Sequence, residues 1–315
     1  MRILFVTSNR LGDAVLSTGL LDHLIRAHPA ARITVVCGPV AAGLFDRMPN
    51  RERTIEFRKR SWGRHWLPLW AGAATTLWDL VVDIRASAIA WLVPTRRRAV
   101  FRRGTGPKIV QLAATLRLAP PPLPVAWFNS ADSARVAGLL PQDRPLIALA
   151  PTANWAPKVW PADRFAALFH HLAHTMLPGA VPVILGGPGP AEAAMAAPLL
   201  ALLPDAIDLT GRLSLPEVSA CLARAALFVG NDSGLMHMAA AAGAPTIGLF
   251  GPTDAAVYGP AGRKAAAVVA PAGGDEGSGH AGGTMAGLSV TQVVTAAAML
   301  LGRPAPALPV SPGAC

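Results

Sequence analysis

Short apolar runs alternate with helical patterns along most of the chain. In the N-terminal half the runs fall at 2–8, 32–38, 53–57, 80–84 and 99–103. Each run is brief and is bounded by polar or turn residues, which is typical of buried parallel strands. From Asp13 onward the apolar positions recur at helical spacing and stop before Pro29, which predicts the first helix. Strands that alternate with helices predict a parallel sheet with helices on both faces.

A segment with neither pattern separates the two halves. Residues 119–130 contain four prolines and no helical or strand period, so they are the best linker candidate. Beyond a short helix the strand pattern restarts, at 145–151, 181–187, 206–210, 226–231 and 245–251. A Gly-rich loop at 271–287 and a helix at 288–301 with Ser289 as its N-cap close the chain. We expect two doubly wound α/β domains, at 1–130 and 131–315, that face a cleft.

Composition excludes several classes of protein and divides the charge unequally. The chain has 315 residues, of which 52% are hydrophobic, so disorder is not its dominant state. The net charge is +10, yet residues 1–140 hold 20 Lys and Arg against 8 Asp and Glu, whereas the remainder holds 8 against 10. The N-terminal half is therefore expected to meet an anionic partner: nucleic acid, a membrane surface or a phosphorylated substrate. A solvated basic face with no partner explains the same charge.

The cysteines and the apolar segments bear on the compartment. Cys37, Cys221 and Cys315 have neither a metal-binding spacing nor a disulfide framework, which fits a reducing compartment. The N-terminus lacks the pattern of a secretory peptide. The most apolar long window, 71–93, contains three charged residues near its middle, so a membrane span is not expected. We predict a cytoplasmic protein with possible membrane association.

The strongest candidate site lies within 226–254, ALFVGNDSGLMHMAAAAGAPTIGLFGPTD. A predicted strand ends in the turn Asp232-Ser233-Gly234, and a helix of small residues follows. The N–H groups at such a helix start attract phosphate, the Ser233 hydroxyl adds a donor, and Gly234 permits close approach of a ligand. His237 lies on the same side of the helix as Ser233. The alternative is that Asp232 or Ser233 only caps the helix and that His237 is a satisfied core residue.

That stretch resembles the C-terminal signature of the glycosyltransferase family 9 heptosyltransferases, and most closely that of the heptosyltransferase II branch. RLGDAVLSTGLL near the N-terminus and APTANWAPKVWPADRFAAL at 150–168 are similar to two further motifs of the family, in the same order. The resemblance implies the GT-B arrangement of two Rossmann-like domains. It also implies inverting transfer of a sugar from a nucleotide donor, ADP-heptose in the best-known members, to the lipopolysaccharide inner core.

The resemblance assigns the general base to Asp13, which with Gly12 follows the first strand. A carboxylate aimed into the cleft can take the proton from the acceptor hydroxyl as it attacks. From the residues alone, a cap of the first helix explains Asp13 as well. The family commonly has proline where this chain has Gly19, which affects the helix rather than the base.

The resemblance also implies the donor contacts. Lys158 would neutralise the departing diphosphate, whereas a lone lysine is otherwise an ordinary surface residue. Thr152 ends a strand and can donate to phosphate, and Leu213 lies where the family contacts adenine, although a core leucine explains it nearly as well. There is no D-x-D sequence in the chain, and the family is metal-independent. We therefore expect no metal and no cofactor beyond the nucleotide-sugar co-substrate.

Dense basic clusters in the N-terminal half are the acceptor candidates, represented by Arg58, Lys59, Arg60 and Arg97. Trp62, Trp66, Trp70 and Trp78 are spaced by multiples of four and on a helix would share one side, but Pro68 argues against one unbroken helix. Arginine beside tryptophan suits a membrane interface or an anionic glycolipid. Core tryptophans with solvated arginines are an equally good interpretation.

The sequence thus predicts an inverting glycosyltransferase, peripheral at the inner face of the cytoplasmic membrane, that binds a nucleotide sugar and an anionic glycolipid and no nucleic acid. The same fold with another nucleotide sugar and surface glycan is the nearest alternative. A basic nucleic-acid-binding protein and a non-catalytic nucleotide-sugar sensor are alternatives of other classes. Residues 270–287 lack the cysteines that several heptosyltransferase II relatives carry there, which leaves the acceptor open.

Overall fold

Eleven strands form two separate parallel sheets in the part of the chain that is described. The structure is a computed structural model that describes residues 1–57, 66–271 and 283–303, with only the backbone of 66–69. The N-terminal sheet has the order β3-β2-β1-β4-β5. Its strands are Arg2–Val6 (β1), Arg32–Cys37 (β2), Arg51–Glu56 (β3), Leu80–Asp83 (β4) and Arg98–Val100 (β5).

The C-terminal sheet has the order β11-β10-β9-β6-β7-β8. Its strands are Leu146–Ala150 (β6), Val181–Ile184 (β7), Ile207–Asp208 (β8), Leu227–Asn231 (β9), Thr246–Phe250 (β10) and Ala265–Val269 (β11). Read from β8, this is the Rossmann order 3-2-1-4-5-6. Both sheets are doubly wound, as the sequence predicted, and ligands of such sheets bind where the strand order reverses, beside β1/β4 and β6/β9.

Helices cover both faces of each sheet. In the N-terminal half they are Leu11–Leu16 (α1), Thr18–Ala27 (α2), Pro39–Ala42 (α3), Trp66–Ala74 (α4), Ile89–Leu92 (α5) and Lys108–Ala114 (α6). Beyond them follow Ser130–Ala137 (α7), Ala162–Thr175 (α8), Pro190–Leu202 (α9), Leu215–Ala223 (α10), Gly234–Ala241 (α11), Ala255–Tyr258 (α12) and Val290–Leu301 (α13). Within the described residues, no helix is long and apolar enough to cross a membrane.

The prediction of one continuous first helix that begins at Asp13 was wrong in two respects. It begins at Leu11, with Arg10 as N-cap, and it is divided at Ser17. The hydroxyls of Ser17 and Thr18 donate to the carbonyls three residues earlier, at 2.7 Å each, which bends the chain between α1 and α2. Asp13 therefore lies in the first turn of α1 rather than at its cap.

The linker candidate packs on the protein instead of spanning open solvent. Of the predicted linker, 119–130, residues 119–129 form no helix or strand, whereas Ser130 begins α7. The Val125 N–H donates to Thr18 Oγ1 at 2.8 Å. A Cβ added to Gly19 would lie 2.5 Å from the Pro122 carbonyl oxygen and 2.6 Å from that of Leu123. The crossing of this segment over α2 requires glycine where the family commonly has proline. The domain boundary at 130/131 stays a prediction.

Other sequence predictions met mixed outcomes. Ser289 caps α13 through a capping box with Gln292, as predicted. Strand β11 was missed, because three of its five residues are alanine and only Val268 and Val269 carry a β-branched signal. Trp78 does not lie on one helix with Trp66 and Trp70, because it is buried beside β4, beyond the end of α4, and Trp62 lies outside the described residues. Most of the 271–287 loop, at 272–282, lies outside the described residues.

The two halves are in contact along one continuous apolar cluster. It runs from Phe5 and Val15 in the first half to Met236 and Phe228 in the second. Arg47 adds a bidentate ion pair to Asp132 in α7, at 2.9 and 3.0 Å. The carboxyl ends of β1 and β9 consequently lie close together through α1 and α11.

Candidate active site

A pair of opposite charges lies at the strand-order reversal of the C-terminal sheet. Lys158 Nζ is 2.6 Å from Asp232 Oδ2, and the two side chains are only 17% and 9% exposed. The same carboxylate oxygen accepts from Thr253 Oγ1 at 2.9 Å. Lys158 is therefore not an ordinary surface lysine, and Asp232 does not cap the helix.

A buried amide holds Lys158 in place. Asn231, the last residue of β9, donates from Nδ2 to the Pro151 carbonyl at 2.8 Å and accepts the Trp160 N–H at 3.1 Å. The Trp160 indole is buried and donates to the Leu288 carbonyl at 2.9 Å. Sequence reasoning missed Asn231, although a polar residue ending an apolar strand is a signal that could have found it.

The start of α11 carries two buried polar groups that lack hydrogen-bond partners within the described part of the chain. Ser233 occupies the N-cap position but makes no capping hydrogen bond. Its hydroxyl and His237 Nδ1 are buried, and neither has a hydrogen-bond partner among the described residues. Because buried polar atoms are nearly always paired, the cap and satisfied-core interpretations of these two residues fail. The described part of the protein therefore leaves both atoms unsatisfied, although both are enclosed rather than open to solvent.

Burial lowers the pKa of His237, while the charges of Asp232 and Asp13 oppose that shift. Lys158 acts in the same direction as burial. Because burial is the largest of these effects, the His237 imidazole is neutral in the folded protein.

Asp13 faces this cluster across the contact between the halves. A Cβ added to Gly12 would lie 2.8 Å from His237 Cδ2, and one added to Gly234 would lie 2.8 Å from Leu11 Cδ2. Only glycine permits this approach of α1 to α11. The Asp13 carboxylate accepts from Ser8 Oγ at 3.4 Å, and neither end of α1 uses it as a cap. The structure thus brings Gly12, Asp13, Gly234 and His237 together.

Further donor candidates follow along the same edge of the C-terminal sheet. Thr152 is buried just beyond β6, and its Cγ2 would lie 3.4 Å from a Cβ on Gly186, beyond β7. Thr210, which sequence reasoning missed, packs against the same glycine and has a buried hydroxyl without a partner among the described residues. Leu213 is half-buried against the core beyond β8. These positions lie progressively farther from Asp232.

Of the four acceptor candidates, the structure describes Arg97, and it does not place this residue near Asp13. Arg58, Lys59 and Arg60 lie outside the described residues. Arg97 is exposed at the amino end of β5, where its carbonyl accepts the Val81 N–H, so it lies on the opposite edge of the sheet from Asp13. Arg85, beyond the carboxyl end of β4, is on the Asp13 side and donates to Asn9 Oδ1 at 3.2 Å. Its place directly after a predicted strand is the signal that sequence reasoning overlooked.

The cluster contains the kinds of group that bind phosphate, and its one ammonium group is paired with Asp232. It offers one ammonium group, a free hydroxyl and the N–H groups of a helix start. The described residues contain no group of three His, Cys, Asp or Glu that could hold a metal ion. A carboxylate on the facing helix completes a site with a basic and an acidic side.

The comparisons with known proteins agree with this arrangement. The model of glycosyltransferase family 9 (heptosyltransferase) matches residues 108–276. Lipooligosaccharide heptosyltransferase 2 of Haemophilus influenzae is 25% identical over 306 residues, covering 81% of this chain and 84% of the relative.

Two solved structures share the fold. Heptosyltransferase II of E. coli superposes with a TM-score of 0.75 at 21% identity, covering 96% of this chain and 98% of the other. A family 9 glycosyltransferase of Veillonella parvula gives 0.79 at 22% identity, over 95% and 97%. The GT-B fold predicted from the sequence is thereby confirmed. With more than half of its length matched by the family model, the chain belongs to glycosyltransferase family 9 and is an enzyme that transfers a glycosyl group from a nucleotide sugar.

Proposed function

We propose that this enzyme transfers a heptose from ADP-heptose to a lipopolysaccharide core acceptor, with inversion at the anomeric carbon and without a metal or other cofactor. The observation that carries the proposal is the Lys158–Asp232 pair at the start of α11, with Asp13 facing it from α1. The names of the relatives, lipooligosaccharide and lipopolysaccharide heptosyltransferases, support the sugar and the acceptor class.

The donor diphosphate is proposed to bind at the start of α11. Lys158 would exchange its bond to Asp232 for a phosphate oxygen, and the free Ser233 hydroxyl would donate to the same group. As the anomeric C–O bond breaks, the diphosphate takes the electron pair and becomes more negative. A preorganised cation and helix start stabilise that charge in place of a metal.

Asp13 is the proposed general base. The acceptor oxygen attacks the anomeric carbon on the face opposite the departing diphosphate, and its proton moves to the Asp13 carboxylate. The adjacent His237 is buried and neutral, so it places no competing positive charge beside that carboxylate. General-base help of this kind contributes roughly 10²–10⁴-fold to rate.

The acceptor is proposed to enter from the basic N-terminal half. Arg85 supplies a cation on the Asp13 side, and Arg58, Lys59 and Arg60 remain acceptor candidates. Because such an acceptor is lipid-linked and anionic, we place the enzyme at the inner face of the cytoplasmic membrane, with no nucleic acid as partner.

Asp13→Asn is the test of the mechanism, with the surface substitution Asp22→Asn as control. The Asn variant keeps the shape and loses the base, so kcat should fall about 10²–10⁴-fold while ADP binding is unchanged. Anomeric configuration of the product, and activity in the presence of a chelator, test inversion and metal independence. Wild-type turnover by the Asn variant would remove Asp13 from the role of base.

A thermal-shift panel of ADP-, UDP-, GDP- and dTDP-sugars tests the donor. A ligand at 100 times its Kd stabilises the fold by about 2.7 kcal/mol. A response to ADP-heptose is expected. A response to another sugar nucleotide alone would identify a different surface-glycan transferase, and steeply salt-dependent nucleic-acid binding with no response to any sugar would refute the proposal.

A further inference from the structure

Large apolar side chains are exposed together on the outer layer of the N-terminal sheet. Trp91 is 65% and Leu92 58% exposed at the end of α5, with Trp70 of α4 and Leu77 also exposed. They form one surface, since Trp70 Nε1 donates to the Leu92 carbonyl at 2.9 Å. Leu77 is exposed on a neighbouring segment, since Trp78 exchanges backbone hydrogen bonds with Pro94 and Arg96, just beyond α5. We call these four residues the aromatic patch.

Arginines border the aromatic patch. The Arg98 guanidinium lies 4.9 Å from the Trp91 ring centroid, a cation–π contact. Arg98 also lines a cavity of about 670 Å³ at the amino end of the sheet, together with Arg97, Arg102 and Arg117. Residues 84–130 contain eight Lys and Arg and no Asp or Glu. The carboxylate adjoining this surface is Asp79, which already pairs with Arg96 at 3.4 Å and accepts the Arg2 N–H.

Neither the core nor the active site accounts for this surface. The aromatic patch lies on the face of the sheet opposite α1, and the arginine cavity lies at the amino ends of the strands, whereas Asp13 follows a carboxyl end. Exposed aromatics rimmed by cations mark a site of association. Tryptophan favours the membrane–water interface, and an anionic bilayer attracts clustered arginines.

We propose that the aromatic patch and the adjoining arginine cavity dock the enzyme on an anionic lipid bilayer. Trp70, Trp91 and Leu92 enter the headgroup region, while Arg98 and Arg102 bind lipid phosphates. The inference rests on the proposed function, in which the acceptor is lipid-linked. It adds the surface that brings the enzyme to that acceptor. The donor site and Asp13 take no part in it.

Vesicle co-sedimentation tests the proposal with the full chain. Vesicles of phosphatidylcholine with 30% phosphatidylglycerol are compared with vesicles of phosphatidylcholine alone, at low and high salt. The variants are Trp91→Ser and the double variant Arg98→Glu/Arg102→Glu. Their matched controls, exposed residues in other parts of the molecule, are Met299→Ser and Arg135→Glu/Arg303→Glu. A cooperative thermal unfolding transition and an unchanged circular-dichroism spectrum, both measured without ligand, show that each variant is folded.

Binding to the anionic vesicles should be strong and salt-sensitive, and weak to neutral ones. Each lost arginine is expected to lower partitioning about fivefold, so the double variant should lose at least about 25-fold. Trp91→Ser should lose roughly tenfold, and both controls should match the wild type.

Equal loss in the controls, or variants that bind vesicles as the wild type does, would overturn the proposal. So would binding of free glycerol phosphate without vesicle binding, or a concentration-dependent dimer abolished by Trp91→Ser. If no nucleotide sugar supports transfer but vesicle binding follows the predicted pattern, the proposed function fails and the docking surface stands.

Discussion

The pair between Lys158 and Asp232 should be energetically coupled, and a double-mutant cycle can measure it. Lys158→Met and Asp232→Asn each remove one charge with little change in size, and the double variant removes both. In the intact protein the ammonium and carboxylate lie 2.6 Å apart with 17% and 9% of their side chains exposed. Each single variant therefore leaves its former partner largely buried without a counter-charge.

The structure sets the size of the effect. At an effective dielectric constant of about 20, two unit charges 2.6 Å apart attract by about 6 kcal/mol, most of which the desolvation of both groups offsets. Removing one partner of a buried pair costs about 3–5 kcal/mol. For Asp232→Asn the loss of the acceptor for Thr253 adds to that cost. We expect the double variant to be about 2–3 kcal/mol more stable than the sum of the single effects predicts.

Urea unfolding of the four proteins gives the coupling free energy. The control is the cycle Asp22→Asn/Arg26→Met, an i,i+4 pair at 2.8 Å on α2 whose arginine is 76% exposed. Such surface pairs couple by about 0.3–0.5 kcal/mol. A coupling at Lys158–Asp232 no larger than the control would refute the pairing, and with it the reasoning that Asp232 holds Lys158 ready for the diphosphate.

Two further predictions concern α2 and α11. Gly19→Ala should lower the free energy of unfolding by about 2 kcal/mol, because overlap with two carbonyl oxygens outweighs the helix propensity gained. Gly72→Ala in α4, where the new Cβ would meet only Ile55 at 3.7 Å, should not destabilise in the same urea assay, and equal effects would contradict the crossing. Burial lowers the pKa of His237, so over a range of pH this residue is protonated in the unfolded chain and neutral in the folded protein. Stability should thus fall as pH drops through about 6.5, and His237→Asn should weaken that dependence relative to the exposed control His23→Asn; an unchanged pH profile in His237→Asn would contradict it.

The sequence predicted the layers of the fold because hydrophobic periodicity records burial directly. The run at 226–231 became β9, buried throughout, and Ser289 capped α13. Hydrophobic periodicity does not record hydrogen bonds from side-chain hydroxyls to backbone carbonyls. The division of the first helix at Ser17 was therefore not predicted. The edge strand β11 was also missed, because three of its five residues are alanine.

The site was predicted as separate motifs, and only the fold shows which of them meet. Nothing local to Gly12 predicts that His237 lies against it, because 225 residues of chain separate them. Arg97 was an acceptor candidate and Arg85 was overlooked, although each lies close to a predicted strand. Their positions at opposite ends of parallel strands separate them: Arg85 lies on the Asp13 side of the sheet, and Arg97 lines the arginine cavity.

Charge is therefore used in two ways in the two halves. The C-terminal half has a net charge of −2, and at its candidate site Lys158 is paired with Asp232. Such a site depends on the geometry of a few groups, which salt screens little because they are buried. The N-terminal half carries +12, mostly on exposed arginines, which act over about 10 Å and weaken with salt. Donor binding should consequently be nearly indifferent to ionic strength, whereas vesicle binding should not.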